Sequence, residues 1–264
     1  MQKNSVAALV FNALVVAFIL APLAIVCWVA FTPASTLTLP YSDFSLRWFK
    51  AVFADDEFMQ AFRNSLWAAF LSASIASLLS VPAAVAISRH AFPGRDALGG
   101  LLLSPLMIPH LVLGVALLRF FAAMQVAGSF PLLVAGHVIV ITPYVMRLVL
   151  GALVGFDRSI EHAALSLGAS RPAVFLKVTL PLILPGVAGG WLLAFISSFD
   201  ELTLSVFITS PTTVTLPVRM YMYATESIDP MMAAVSALVV ALTALTMVVL
   251  DRLYGLDRIL VGER

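Results

Sequence analysis

The chain has 264 residues, of which 61% are hydrophobic and 11% charged, with a formal net charge of +1. Soluble globular chains run at roughly 45–50% apolar and about 25% charged, so with a mean hydropathy of +1.04 a water-soluble monomer could not hide this much apolar side chain. That excludes a soluble enzyme, a disordered chain and a nucleic-acid binder; a single cysteine, Cys27, excludes a disulfide framework or a cysteine metal cluster and reads as an inert buried thiol.

Long stretches lack Asp, Glu, Lys and Arg: 39 residues between Lys3 and Asp43, then Asn64–Ser88 (25), Ala97–Leu118 (22), Phe120–Met146 (27), Val178–Phe199 (22) and Pro230–Leu250 (21). A bilayer-spanning helix needs about 20 mainly apolar residues, so each stretch is long enough. The expectation is an all-α integral membrane fold with six transmembrane helices near 6–31, 61–88, 97–122, 131–153, 181–208 and 229–252. The ~10-residue alternation of a transmembrane barrel is not the pattern. The first apolar stretch, about 25 residues, exceeds the 7–15-residue core of a signal peptide and reads as a span.

With the N-terminus placed inside, ten basic residues (Lys3, Arg89, Arg95, Arg147, Arg158, Arg171, Lys177, Arg252, Arg258 and Arg264) fall on that side. Five (Arg47, Lys50, Arg63, Arg119 and Arg219) fall on the other. The positive-inside rule then puts both termini in the cytoplasm. Of the outer residues, Arg119 and Arg219 read as snorkelling at helix ends. In the outer loop 32–60, Phe44–Phe49 reads as a short amphipathic helix at the interface.

The largest inner segment, 154–181, is the most informative. Asp157 or Ser159 can cap a helix whose apolar face holds Ala163, Ala164 and Leu167, with Gly168 as its stop. Ser170 can cap a second short helix with Pro172 in its first turn. Two short helices meeting at a glycine turn, with an apolar patch, suggest either a docking surface or helices that pack back on their own bundle.

These residues resemble the EAA loop of permease subunits of type I binding-protein-dependent ABC importers. That motif is Glu-Ala-Ala, a glycine four residues on, nine further residues, then Ile-x-Leu-Pro. Ala163-Ala164, Gly168 and Val178-x-Leu180-Pro181 match; the Glu position holds His162, with Glu161 just before it. Arg63-Asn64-Ser65 at the start of span two, and Pro105 with Pro109 in span three, also resemble this family. The resemblance implies one transmembrane permease domain over 1–264, with its core at 60–252 and the coupling loop at 154–181. It also implies several partners: a second, non-identical permease, two cytoplasmic ATPase subunits and a periplasmic solute-binding protein, all at a bacterial cytoplasmic membrane. Glu161, His162, Ala163, Ala164, Leu167, Gly168, Leu180 and Pro181 would couple to the ATPase. This chain carries no Gly-x-x-x-x-Gly-Lys-Ser/Thr loop, so ATP and magnesium are expected on the partner, with no cofactor and no catalysis here.

Asp200-Glu201 fall within span five, and intramembrane acids usually face a pathway or a partner. A similar acidic pair occurs in polyamine-type permeases of the family, and Val206–Pro211 and Leu216-Pro217 resemble that subgroup too. The implied pathway residues are Phe199, Asp200 and Glu201, for a polyamine or other organic cation, while Tyr221 and Tyr223 read as interface anchors or as cation–π contacts to the solute or binding protein. His110 and His137 are isolated on apolar segments and read as structural. Gly151-x-x-x-Gly155 and Gly186-x-x-x-Gly190 would each allow close helix contact. Competing readings are a stand-alone ion-coupled transporter, which usually needs repeats, and an intramembrane enzyme, which needs a reactive cluster. Within the importer class, an amino-acid derivative, a phosphonate or a ferric ion are alternative solutes.

Overall fold

The computed structural model describes residues 6–37, 43–155 and 157–254. Lys3, Arg258 and Arg264 of the charge argument lie outside the described residues. Among the described residues every regular element is helical. The chain divides into two compact units, 1–59 with 219–253 and 60–218 with 254–264.

In the first unit, α1 (Val6–Val29) follows the first expected span and is exposed along nearly its whole length. A helix that is apolar all round belongs in lipid or against another membrane subunit. Cys27 on it is half-buried rather than fully buried. The expected interfacial helix at 44–49 lies later, as α2 (Arg47–Ala54). Its start is fixed because Ser45 Oγ accepts the Arg47 N–H at 3.1 Å, and Trp48 Nε1 ties it back to the Ala34 carbonyl at 3.0 Å. Asp55 then caps α3 (Asp56–Arg89), its Oδ1 accepting the N–H groups of Glu57 and Phe58, both at 3.0 Å. The acidic run Asp55-Asp56-Glu57 therefore supplies the N-terminal cap and first turn of a 34-residue helix.

The second unit holds the rest of α3 and the principal core. Span three is broken. α4 (Arg95–Leu103) and a 3-10 turn (Ser104–Met107) are bent by 107° from α5 (His110–Ala123). Pro109 is the cause: it supplies no N–H, and it holds Ile108 extended at ψ 125°. α6 (Phe130–Val154) matches the fourth expected span. α7 (Ser159–Ser166) is the first loop helix.

The second loop helix is not separate. α8 (Arg171–Val174) passes through a π-helical turn (Phe175–Thr179) into α9 (Leu180–Phe199), so one helical rod of 29 residues runs from the loop into the fifth span. The ring of Pro181 would clash with the carbonyl of residue 177, and the wider turn relieves that clash. The rod stops at Phe199, short of the expected 208; after a five-residue break, α10 (Ser205–Ile208) makes one turn.

α11 (Leu216–Glu226) straddles the two units, and α12 (Met231–Tyr254) coincides with the sixth expectation. Among the described residues, four helical rods are long and apolar enough to cross a membrane, or five with the bent pair, against six expected, and the apolar run of α12, Met231–Thr246, is shorter.

α6 and α9 approach closely through Gly186 and Gly190. A Cβ on Gly186 would lie 2.6 Å from Ala152 Cβ, and one on Gly190 would lie 3.1 Å from Val145 Cα. The other small-residue pair does nothing comparable, since a Cβ on Gly151 would meet no atom within 4 Å.

Candidate functional site

Two places in the second unit gather the residues singled out in the sequence. The first is the loop. Asp157 caps α7, accepting the Ser159 N–H at 2.9 Å and its hydroxyl at 2.7 Å. These two bonds favour the carboxylate and hold the Asp157 pKa below its ordinary value. The other end of α7 closes by a paired motif: Gly168 N–H donates to the Leu165 carbonyl at 3.0 Å and Ala169 N–H to that of Ala164 at 3.1 Å. Gly168 has φ +87°, a conformation that penalises any side chain, although the space around it is open. The glycine is thus required by backbone geometry and not by packing.

The two candidates at the motif's acidic position point different ways. Glu161 turns inward: its Oε1 accepts the Thr179 hydroxyl at 2.7 Å and faces Arg89 at 3.4 Å. It fastens α7 to the π-turn and to the end of α3. His162 is exposed, as are Ala163 and Pro181, while Leu167 is 89% exposed. Ala164 and Leu180 are half-buried. The loop therefore presents His162, Ala163 and Leu167 outward on a helix tied by Glu161 to two membrane rods.

The second place is the break after α9. Asp200 and Glu201 sit on the break itself, not within a helix, and they differ. Asp200 is exposed, whereas Glu201 is 7% exposed. Glu201 Oε1 accepts the Leu204 N–H at 2.8 Å and its Oε2 pairs with His110 Nδ1 at 2.8 Å. His110, expected to be isolated, is thus the partner of a buried acid; the sequence hides this because 91 positions separate the two residues.

His137 is buried and bridges Ser198 Oγ (2.7 Å, to Nδ1) and Ser205 Oγ (2.9 Å, to Nε2). Ser205 donates its proton to the Glu201 carbonyl at 2.7 Å. It must therefore accept from His137 Nε2–H, which leaves Nδ1 to accept from Ser198. α10 nests where side chains are missing: a Cβ on Gly114 would lie 2.8 Å from Phe207 Cδ2, and one on Gly136 would lie 2.7 Å from Ile208 Cδ1.

A column of aromatic rings runs along α9 and ends at Phe199, the residue before Asp200. Phe199 stacks on Phe195 (6.4 Å) and Phe195 on Trp191 (5.4 Å), with Phe62 edge-on to Phe199 at 6.2 Å. Asn64 Nδ2 donates to the carbonyls of Thr212 (3.1 Å) and Val214 (2.9 Å), and Ser65 Oγ accepts the Leu216 N–H at 2.8 Å. The Asn-Ser pair at the start of span two thus anchors the segment after α10. Among the described residues, no three His, Cys, Asp or Glu side chains cluster as a metal would require.

Residues 76–256 match the family model described as binding-protein-dependent transport system inner membrane component. The chain belongs to this family. It is a transport permease of an ATP-driven importer, and the EAA-like loop agrees with that membership.

Among relatives of the permease, the spermidine/putrescine transport system permease protein PotC of Haemophilus influenzae is 34% identical over 215 residues, covering 81% of this chain and 83% of that protein. The putrescine transport system permease protein PotI of Escherichia coli is 32% identical over 229 residues, 84% of this chain and 81% of that protein. A bacterial ABC transporter that imports the acidic polysaccharide alginate shares the fold, with TM-score 0.70 at 17% identity over 96% of this chain and all of that one.

Tyr221 and Tyr223, the expected interface anchors or solute contacts, belong to the permease's first unit. Tyr221 is exposed. The Tyr223 hydroxyl donates to Asp229 Oδ2 at 2.6 Å and its ring meets Phe58 edge-on at 5.4 Å. Burial first, and the Asp229 carboxylate second, push its pKa up to about 12. Arg219 does not snorkel. It pairs with Glu57, and its guanidinium lies over Phe58 at 5.3 Å and Tyr223 at 5.9 Å.

Proposed function

We propose that this permease forms half of the membrane pathway of an importer for a polyamine or other small organic cation, at the bacterial cytoplasmic membrane. The observation that carries the solute class is Asp200, an exposed carboxylate on the helix break that follows the Trp191–Phe195–Phe199 column. An ammonium group losing water there gains a counter-charge from the acid and cation–π attraction from the rings. The names of the PotC and PotI relatives support the same class.

Coupling runs through α7. ATP and magnesium are held by two ATPase subunits, and the exposed His162, Ala163 and Leu167 face enters them. Glu161 passes the motion to α3 and to the α8–α9 rod through Arg89 and Thr179. A second permease completes the pathway, and a binding protein delivers the solute.

The test is uptake of labelled spermidine and putrescine by the reconstituted complex. Asp200→Asn should raise KM at least tenfold for the cations while ATPase assembly is retained. Unchanged uptake in Asp200→Asn would reject the cation pathway. Glu201 is better probed separately, because its loss would perturb the break itself.

A further inference from the structure

At the end of the second unit from which α7 departs, a cavity of about 370 Å³ opens between the last turn of α3, the first turn of α4 and the last turn of α6. That volume is at the lower end of the roughly 300–1,000 Å³ of small-ligand sites. Three arginines line it, Arg89, Arg95 and Arg158, together with Ile87, Leu150 and Leu153. No acidic side chain is among its described lining residues.

Three acids lie near these arginines. Glu161 faces Arg89, Asp157 is engaged by Ser159, and Asp96 lies in the first turn of α4 beside Arg95. The C-terminal carbonyls of α3 would repel an anion, but Arg158 donates to the carbonyl of Ser88, which covers one of them and fixes the guanidinium at the rim. A guanidinium has five N–H donors, so this bond leaves others for a ligand.

We propose that this cavity binds the phosphate of an anionic phospholipid, with its glycerol and upper acyl carbons along Ile87, Leu150 and the exposed Val154. With Arg89 facing Glu161, the guanidiniums of Arg95 and Arg158 alone would suit any phosphate. Their meeting with an aliphatic wall at the end of a membrane helix bundle selects an amphiphile. The site lies where α7 joins the bundle, so a bound headgroup would brace Arg158 at the root of the loop helix. The inference rests only on the chain being a membrane permease and is independent of its solute.

The experiment uses the whole permease complex in mild detergent, incubated with equal amounts of phosphatidylglycerol and phosphatidylcholine and repurified, with bound lipid counted by mass spectrometry. Phosphatidylglycerol should be retained over phosphatidylcholine, and millimolar inorganic phosphate should not displace it. Arg95→Gln with Arg158→Gln should weaken retention by about 25-fold, from roughly fivefold per removed charge near a membrane surface. Arg95→Lys with Arg158→Lys should keep most of it, which controls for folding. Equal retention of the two lipids, or retention unaltered in the glutamine pair, overturns the proposal. Displacement by inorganic phosphate overturns the lipid assignment in favour of a soluble phosphate. Lipid retention is read without transport, so a failed cation assignment leaves this result standing.

Discussion

The two small-residue pairs look alike in sequence and should behave oppositely when filled. In Gly186→Ala the new methyl would lie 2.6 Å from Ala152 Cβ and 3.0 Å from the Leu148 carbonyl oxygen, against an ordinary contact of 3.4–4 Å. The helices α6 and α9 must part by roughly 1 Å, a gap that forfeits a quarter to a half of the dispersion well for the atoms lining it. In a bilayer, where lipid tails are as apolar as the side chains, such packing is the main force between helices. Overpacking costs about 1–3 kcal/mol, partly offset by the ~1 kcal/mol helix-propensity gain of Ala over Gly.

In Gly151→Ala there is no atom within 4 Å, so only the gain remains. Heating the detergent-solubilised protein and following the monodisperse peak by size exclusion should show Gly186→Ala lower by several degrees, at roughly 2–4 °C per kcal/mol for this size of chain. Gly151→Ala should be equal to wild type or higher. Adding Ala152→Gly to Gly186→Ala removes the nearer obstacle but leaves Leu148, so rescue should be partial. Equal midpoints for the two single variants would refute the close-approach argument.

Three further variants probe the loop and the first unit. Glu161→Ala removes a hydrogen bond and an ion pair between side chains only 10% and 16% exposed, and should lower stability by about 1–3 kcal/mol. His162→Ala on the exposed face should leave thermal stability unchanged and reduce ATPase co-purification; the reverse pattern would overturn the division of labour between these neighbours. For Tyr223, a folded pKa of about 12 against an ordinary 10.0 means that its contribution to stability is complete below pH 10 and lost as pH rises towards 12. Tyr223→Phe should flatten that alkaline loss in a melting series; an unchanged alkaline slope would show that Tyr223 is not its source.

The membrane class and four of the spans, five with the bent pair, are readable because both depend on composition and on runs of apolar residues, and a bilayer accepts nothing else. The loop motif was readable for a related reason: Gly168 and the Ala163-Ala164 pair act through their own backbone and nearest neighbours, so the spacing carries the geometry. Proline gave partial notice. Pro109 marked span three, but only the fold turned it into a 107° bend, while Pro181 and Pro185 were absorbed within the α8–α9 rod.

What depended on the tertiary structure is whatever pairs distant residues. Glu161 and His162 are adjacent, and the direction of each was decided by where Arg89 and Thr179 arrive. Asp200 and Glu201 are likewise adjacent, and His110 with the Leu204 N–H takes one of them out of water and leaves the other. Gly151 and Gly186 open identical motifs, and only the facing helix distinguishes them. Sequence periodicity specifies which residues can share a face; the partner that reaches that face is set by packing across the whole chain, and that packing separates the solvent-exposed acid from the buried one.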